Sequence, residues 1–286
     1  MTGLLTVVGT PIGNLGDISP RAVEALAKAD FICCEDSRRT GRLLSHLGIK
    51  SPGMIVVNEH TEAQRADTVA DRVLAGEQGV LVSDAGMPMI SDPGHLLVSA
   101  VLECGAEVDV VPGPVAFVAA AVVSGLVTGP FVFEGFVPRK GAARRRRLEA
   151  LRAEKRSVIF YEAPHRLRKT LGDLANVFGS TRRACAAREL TKLHQEIIHA
   201  DLGHLSKHYD EVEPRGEFVV VVGPDNSTPA LIEDDDLIDA LVLELDAGGS
   251  KRDAVSAVVQ ATGESKKRVY DLAIGLGSEG SGKPGF

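Results

Sequence analysis

Over the first part of the chain, short apolar runs alternate with longer stretches in which apolar residues recur every three or four positions. The runs at residues 4–9, 31–34, 54–58, 80–83 and 108–111 predict strands. The stretches at 20–29, 38–47, 62–75 and 95–103 predict amphipathic helices, and an apolar helix begins at Val115. Strands alternating with helices of this length predict an α/β fold with a parallel sheet covered on both faces.

The pattern breaks at residues 126–130, so a first α/β domain is expected over residues 1–125. Further strands are predicted at 131–136, 157–161, 183–188, 195–200 and 216–223, with a helix at 164–178. Several follow one another closely, which implies antiparallel pairs and a mixed sheet in a second α/β domain, residues 126–224. From Asp225 the composition turns to Asn, Ser, Thr and Pro, a linker. Helices at 234–246, 250–260 and 265–274 then predict a small helical module, residues 231–277. Its last two helices, joined through Gly263, resemble a helix-turn-helix and read equally well as a cap on the main body. Residues 278–286 are Gly-rich and read as a disordered end.

Composition narrows the function. Of 286 residues, 44% are hydrophobic and 25% charged, as in a soluble globular protein. Trp is absent and aromatics are 4%, which disfavours many base-stacking platforms. A net charge of -7 argues against a protein that coats nucleic acid but leaves room for a local basic patch. The start of the chain has no basic residue ahead of its apolar run and reads as a strand, not a signal peptide. The most apolar segment, residues 115–127, falls short of the roughly 18 residues a membrane span needs. A cytoplasmic protein with no membrane partner is expected. The cysteines Cys33, Cys34, Cys104 and Cys185 lack paired-ligand spacing and read as core filler, so no metal is expected.

Candidate chemistry gathers at strand ends. Gly9 and Gly13 flank the turn after the first strand and let backbone amides approach a nucleotide-like ligand. Glu35 and Asp36 end the second strand, where an acid could hold ribose hydroxyls, so a nicotinamide oxidoreductase is a rival reading. The glycine spacing, GxxxG, counts against it. The loops SDAGMP, SDPG and VPGP follow the fourth and fifth strands. Three rigid Gly/Pro loops on one rim point to a ligand cleft. Asp84 is placed to face a cationic or ribose-bearing ligand, whereas Asp92, before Pro93, reads equally as a helix cap.

The strings GTPIGNLGDIS, CEDSRRTGRLLSHLGI, VSDAGMPMISDPG, VPGP, FEGFVPRK, FYEAPHRL, ARELTK and RGEFVVVVG occur in this order. Together they resemble the signature of the bacterial 16S rRNA cytidine 2'-O-methyltransferase (RsmI) family, within the tetrapyrrole methylase superfamily. The resemblance implies a two-domain fold with S-adenosyl-L-methionine (SAM) in the cleft between domains, and a homodimer. It also implies a decoding-centre cytidine of 16S rRNA in the small ribosomal subunit as substrate. By motif, cofactor contacts fall at Pro11, Ile12, Asp84, Gly86, Met87, Val115 and Ala116, with Tyr161, Glu189 and the turn at Gly216 as further contacts. Met87 departs from the Thr frequent in the family, which removes a hydroxyl. A precorrin-type tetrapyrrole methyltransferase is the alternative within the same fold.

Methyl transfer needs the acceptor hydroxyl held in line and its proton removed. The candidate bases are Glu35, Asp36, Glu162, His165 and Glu189; His165, after Pro164 at a helix start, reads equally as a capping residue. For RNA, residues 139–156 hold nine basic residues against Glu149 and Glu154. Lys140, Arg144, Arg145, Arg146 and Arg147, with Arg38, Arg39, Arg166 and Lys192 near strand ends, form the expected phosphate-binding set.

Overall fold

The computed structural model describes residues 3–225 and 233–276. The described residues fall into two compact units, 3–225 and 233–276.

The first unit holds two five-stranded sheets. In the first, β1 (Leu4–Val8), β2 (Phe31–Cys34), β3 (Gly53–Val56), β4 (Gln78–Leu81) and β5 (Glu107–Val111) lie in the order β3-β2-β4-β1-β5. Every pair is parallel, with Leu4 opposite Gln78 on one side and Glu107 on the other. The connecting helices α1 (Pro20–Lys28), α2 (Ser37–His46), α3 (Glu62–Leu74) and α4 (His95–Glu103) leave β2 buried at all four positions. This is the covered parallel sheet that the alternation implies. Helix α5 (Ala116–Ser124) follows and ends at Gly125 in the left-handed conformation (φ 61°).

In the second sheet, β6 (Phe131–Phe136), β7 (Ser157–Glu162), β8 (Arg183–Arg188), β9 (Glu196–Asp201) and β10 (Phe218–Val222) run in the order β6-β7-β10-β8-β9. Strand β10 is central, antiparallel to both neighbours, and its sequence FVVVV is wholly buried. Helix α6 (Gly141–Leu151) makes the crossover from β6 to the parallel β7, as such a pair requires. Helix α7 (Pro164–Phe178) lies between β7 and β8. Helix α8 (Leu202–Glu211) is not foreseen by the sequence reading; Asp201 caps it and Leu202, Leu205 and Tyr209 bury one face at helical spacing.

The second unit is a cluster of α9 (Asp234–Asp246), α10 (Lys251–Thr262) and α11 (Lys266–Gly275) around Leu237, Leu241, Val255, Val258 and Val269. Gly263 closes α10 in the left-handed region and Ser265 caps α11, giving the tight turn expected between them. The expected disordered tail lies outside the described residues.

Candidate functional site

The loops at the carboxyl ends of the first sheet are fastened to one another by backbone. Thr10 N–H donates to the Gly86 carbonyl at 2.9 Å, and Gly86 N–H returns a bond to Thr10 at 3.1 Å. Gly9 and Gly113 touch: a Cβ on Gly9 would stand 2.6 Å from the Gly113 Cα. Gly86 sits at φ 86° with Ile12 and Pro114 close around it. Glycine is needed at these positions because the strand-end loops meet main chain to main chain.

These loops and the ends of β7, β8 and β10 enclose a cavity of about 520 Å3. Of the expected cofactor contacts, Ile12, Asp84, Gly86, Met87, Val115, Ala116 and Tyr161 line it. So do Glu35, Glu162, His165 and Glu189 among the candidate bases, and Arg39 and Lys192 among the cations. Pro11 lies instead in a neighbouring recess. Gly216 stands behind the wall: at φ 81°, any Cβ there would collide with the Glu189 side chain.

Asp92 is the residue whose role the sequence left open, and the structure decides against the helix-cap reading. Buried Glu62 accepts the amides of Gly94 (2.9 Å) and Leu96 (2.7 Å), so it serves the start of α4. Asp92 lines the cavity instead. Burial raises its pKa to about 6, with the charges of Glu35 and Asp84 adding to the effect and a Ser83 hydrogen bond opposing it. Burial, then the Asp84 charge, also raises Glu35. Asp84 is raised by burial against the pull of Arg39, whose Nε lies 3.5 Å away. The signal in the sequence was an acid in the SDPG loop, next along the chain from the loop of Asp84.

Two other candidates hold structural posts. Asp36 caps α2, accepting Arg38 N–H at 2.8 Å and the Arg38 guanidinium at 2.6 Å, which keeps its pKa well below the carboxylate range. Glu162 is fully buried and bound on both oxygens: Ala163 N–H at 2.9 Å, Arg166 at 3.1 Å and the Thr170 hydroxyl at 2.5 Å. Both carboxylates are thus engaged by neighbouring donors.

Across the cavity, Lys192 Nζ bridges Glu189 (2.9 Å) and Glu217 (2.6 Å). Burial would raise Glu189, but the hydrogen bonds from Lys192 and Glu217 N–H outweigh it and hold the carboxyl low. Gly13 lies under this lysine, since a Cβ there would meet Lys192 Cγ at 2.4 Å. Tyr161 accepts the amide of Phe117 in the first turn of α5 at 3.2 Å. Met89, Ser91, Glu189 and Thr191 are the non-glycine residues with positive φ among those described, and all lie in or beside the cavity wall. Such backbone strain concentrates where a ligand is held.

The basic set divides. Arg144 is 4% exposed and spends its guanidinium on Asp173 (2.6 Å), Thr170 (3.1 Å) and the Pro138 carbonyl (3.1 Å). Arg166 is bound to Glu162 and the Val137 carbonyl. These two correct the sequence expectation: helix periodicity turns Arg144 inward, and Arg166 shields a buried carboxylate. Arg147 pairs with Glu134. Arg145, Arg146 and Lys140 are exposed, as are Arg38 and Arg39.

Residues 4–206 match the model of the tetrapyrrole (corrin/porphyrin) methylases. A protein of Xylella fastidiosa (strain Temecula1), named ribosomal RNA small subunit methyltransferase I, is 45% identical over 271 residues, 94% of this chain and 98% of that one. Its namesake in Synechocystis is 40% identical over 279 residues, 97% and 100% of the two chains. The chain belongs to the ribosomal RNA small subunit methyltransferase I family of tetrapyrrole methylases. A solved uroporphyrin-III C-methyl transferase from Thermus thermophilus, complexed with S-adenyl homocysteine, shares the fold of this methylase. Its TM-score is 0.55 at 20% identity, over 77% of this chain and 96% of that one. Family membership removes the nicotinamide oxidoreductase reading.

Proposed function

We propose that this methylase transfers a methyl group from SAM to the ribose 2'-hydroxyl of a decoding-centre cytidine in 16S rRNA of the small ribosomal subunit. The observation that carries the reading is the cavity: it combines apolar walls with carboxylates in a chain whose relatives bear the rRNA methyltransferase name. A volume near 520 Å3 lies within the range of small-ligand sites.

The residues present fit SAM. Ile12, Met87, Val115 and Leu190 offer apolar surface, while Asp84 and Glu35 offer acceptors for hydroxyl and ammonium groups. Close packing around Gly86 keeps this wall flush. When bound, SAM supplies an electrophilic methyl group on a sulfonium. The cavity carboxylates favour that cation, and the rigid Gly/Pro loops hold their shape without ordering cost. Asp92 is the group we assign to take the proton of the acceptor hydroxyl. It faces the cavity, is free of the capping role, and titrates close to working pH.

A tetrapyrrole acceptor is disfavoured by kinship: relatives at 45% and 40% identity over nearly the whole chain bear the rRNA methyltransferase name. The enzyme is read as a cytoplasmic homodimer, on the family resemblance. Calorimetry tests the ligand: SAM and its demethylated product should bind and NAD should not, whereas NAD binding without SAM binding overturns the reading.

A further inference from the structure

Beside the main cavity lies a smaller recess of about 250 Å3. The two share a wall, because Arg39 and Asp84 line both. Pro11, Leu15 and Leu43 give the recess an apolar side, and Leu15 is 43% exposed. Thr10 and Ser83 also line it, yet their hydroxyls already serve backbone carbonyls: Thr10 Oγ1 donates to Ser83 at 3.4 Å and Ser83 Oγ to Ala85 at 3.3 Å.

The charge at its edge is unbalanced. Arg39 and Arg42 stand three apart on α2 and so project from one side of the helix. Arg39 faces Asp84 at 3.5 Å and Arg38 is neutralised by Asp36 at 2.6 Å. Arg42 is exposed and forms no ion pair among the described residues. An apolar wall beside an unpaired guanidinium suits a group with a flat face and an adjoining anion. A nucleotide has both, and arginine forks match phosphate oxygens.

An enzyme acting on a ribose inside an RNA strand must present the 2'-hydroxyl in line with the methyl group, and gripping the strand beside the target fixes that geometry. We propose that the recess holds a nucleotide flanking the methylated one, its base or sugar against Pro11 and Leu15 and its phosphate on Arg42. The proposal rests on the rRNA reading above. It moves Pro11 from the cofactor to the RNA.

The test compares wild type, Arg42→Gln, Arg42→Lys and Arg65→Gln, the last an exposed arginine of α3 outside the recess. Methyl transfer to unmodified small subunits is measured against subunit concentration and salt. Arg42→Gln should raise KM about tenfold with kcat at saturation unchanged, as expected for one charged hydrogen bond. The log-log salt slope should flatten by about 0.9. SAM affinity and melting temperature should stay at wild type, Arg42→Lys should recover part of the loss, and Arg65→Gln should change nothing. A wild-type KM and slope for Arg42→Gln overturn the recess alone, as does an equal effect from Arg65→Gln. If the wild-type enzyme methylates no subunits, the rRNA reading falls as well.

Discussion

The carboxylate of Asp84 accepts the backbone N–H of Asp36 at 3.0 Å, joining the loop after β4 to the end of β2. The side chain that faces the cavity therefore also fixes the rim. Truncation and neutralisation should differ. Asp84→Asn keeps an acceptor for the Asp36 amide and removes the charge, while Asp84→Ala removes both. Both variants should weaken SAM binding by about ten- to a hundredfold, the cost of a charged hydrogen bond. Only Asp84→Ala should also lower the melting temperature. Wild-type SAM affinity in Asp84→Asn would show that the charge does not act on the cofactor.

Asp92 gives the reaction a pH signature. A base must be unprotonated to act, so kcat should fall as pH drops through about 6, the value to which burial raises this carboxyl. Asp92→Asn should flatten that limb and reduce kcat by about 10² to 10⁴. A retained acidic limb in Asp92→Asn would assign the titration to another group, with Glu35 next in line.

The same carboxyl predicts a stability effect of definite sign. Its folded pKa lies above the unfolded carboxylate value, so between the two the folded state holds a proton that the unfolded state releases. Stability is lost as pH rises through this window, and the deficit is complete above about 6. Asp92→Asn should therefore melt higher than wild type at pH 7.5 and level with it near pH 3. Equal melting at both values would show that Asp92 is not destabilised by burial.

Arg144 and its neighbours separate folding from binding. Arg144→Gln removes the buried member of a pair with the partly exposed Asp173 and should cost about 1.5 to 3 kcal/mol in stability, read from denaturant unfolding. Arg145→Gln with Arg146→Gln touches exposed side chains and should leave stability within about 0.5 kcal/mol. The double variant should bind RNA more weakly, with a shallower salt slope. If it binds RNA like wild type, the run is an ordinary solvated face.

Much of this architecture was legible in the chain. The alternation of runs and amphipathic stretches carried the parallel sheet, and β2, α4, β6, α7 and β8 occupy the spans their patterns imply. Helix α8 escaped notice because LGHLSKHYDE is polar overall and its apolar side shows only as Leu202, Leu205 and Tyr209. The Gly/Pro rim was visible because Gly and Pro mark close backbone approach locally. The sorting of charges was not. Whether Arg144 points to solvent or to Asp173, and whether Glu62 or Asp92 serves α4, depends on partners roughly thirty positions away. Sequence spacing alone carries no such information.

The position of the methyl group decides between the possible acceptors. Tritium transfer from labelled SAM to small subunits lacking the modification, followed by digestion to nucleosides, reads it directly. Label is expected on a ribose-methylated cytidine from 16S rRNA. Label on a base carbon or nitrogen, or transfer to a tetrapyrrole in place of RNA, would contradict it.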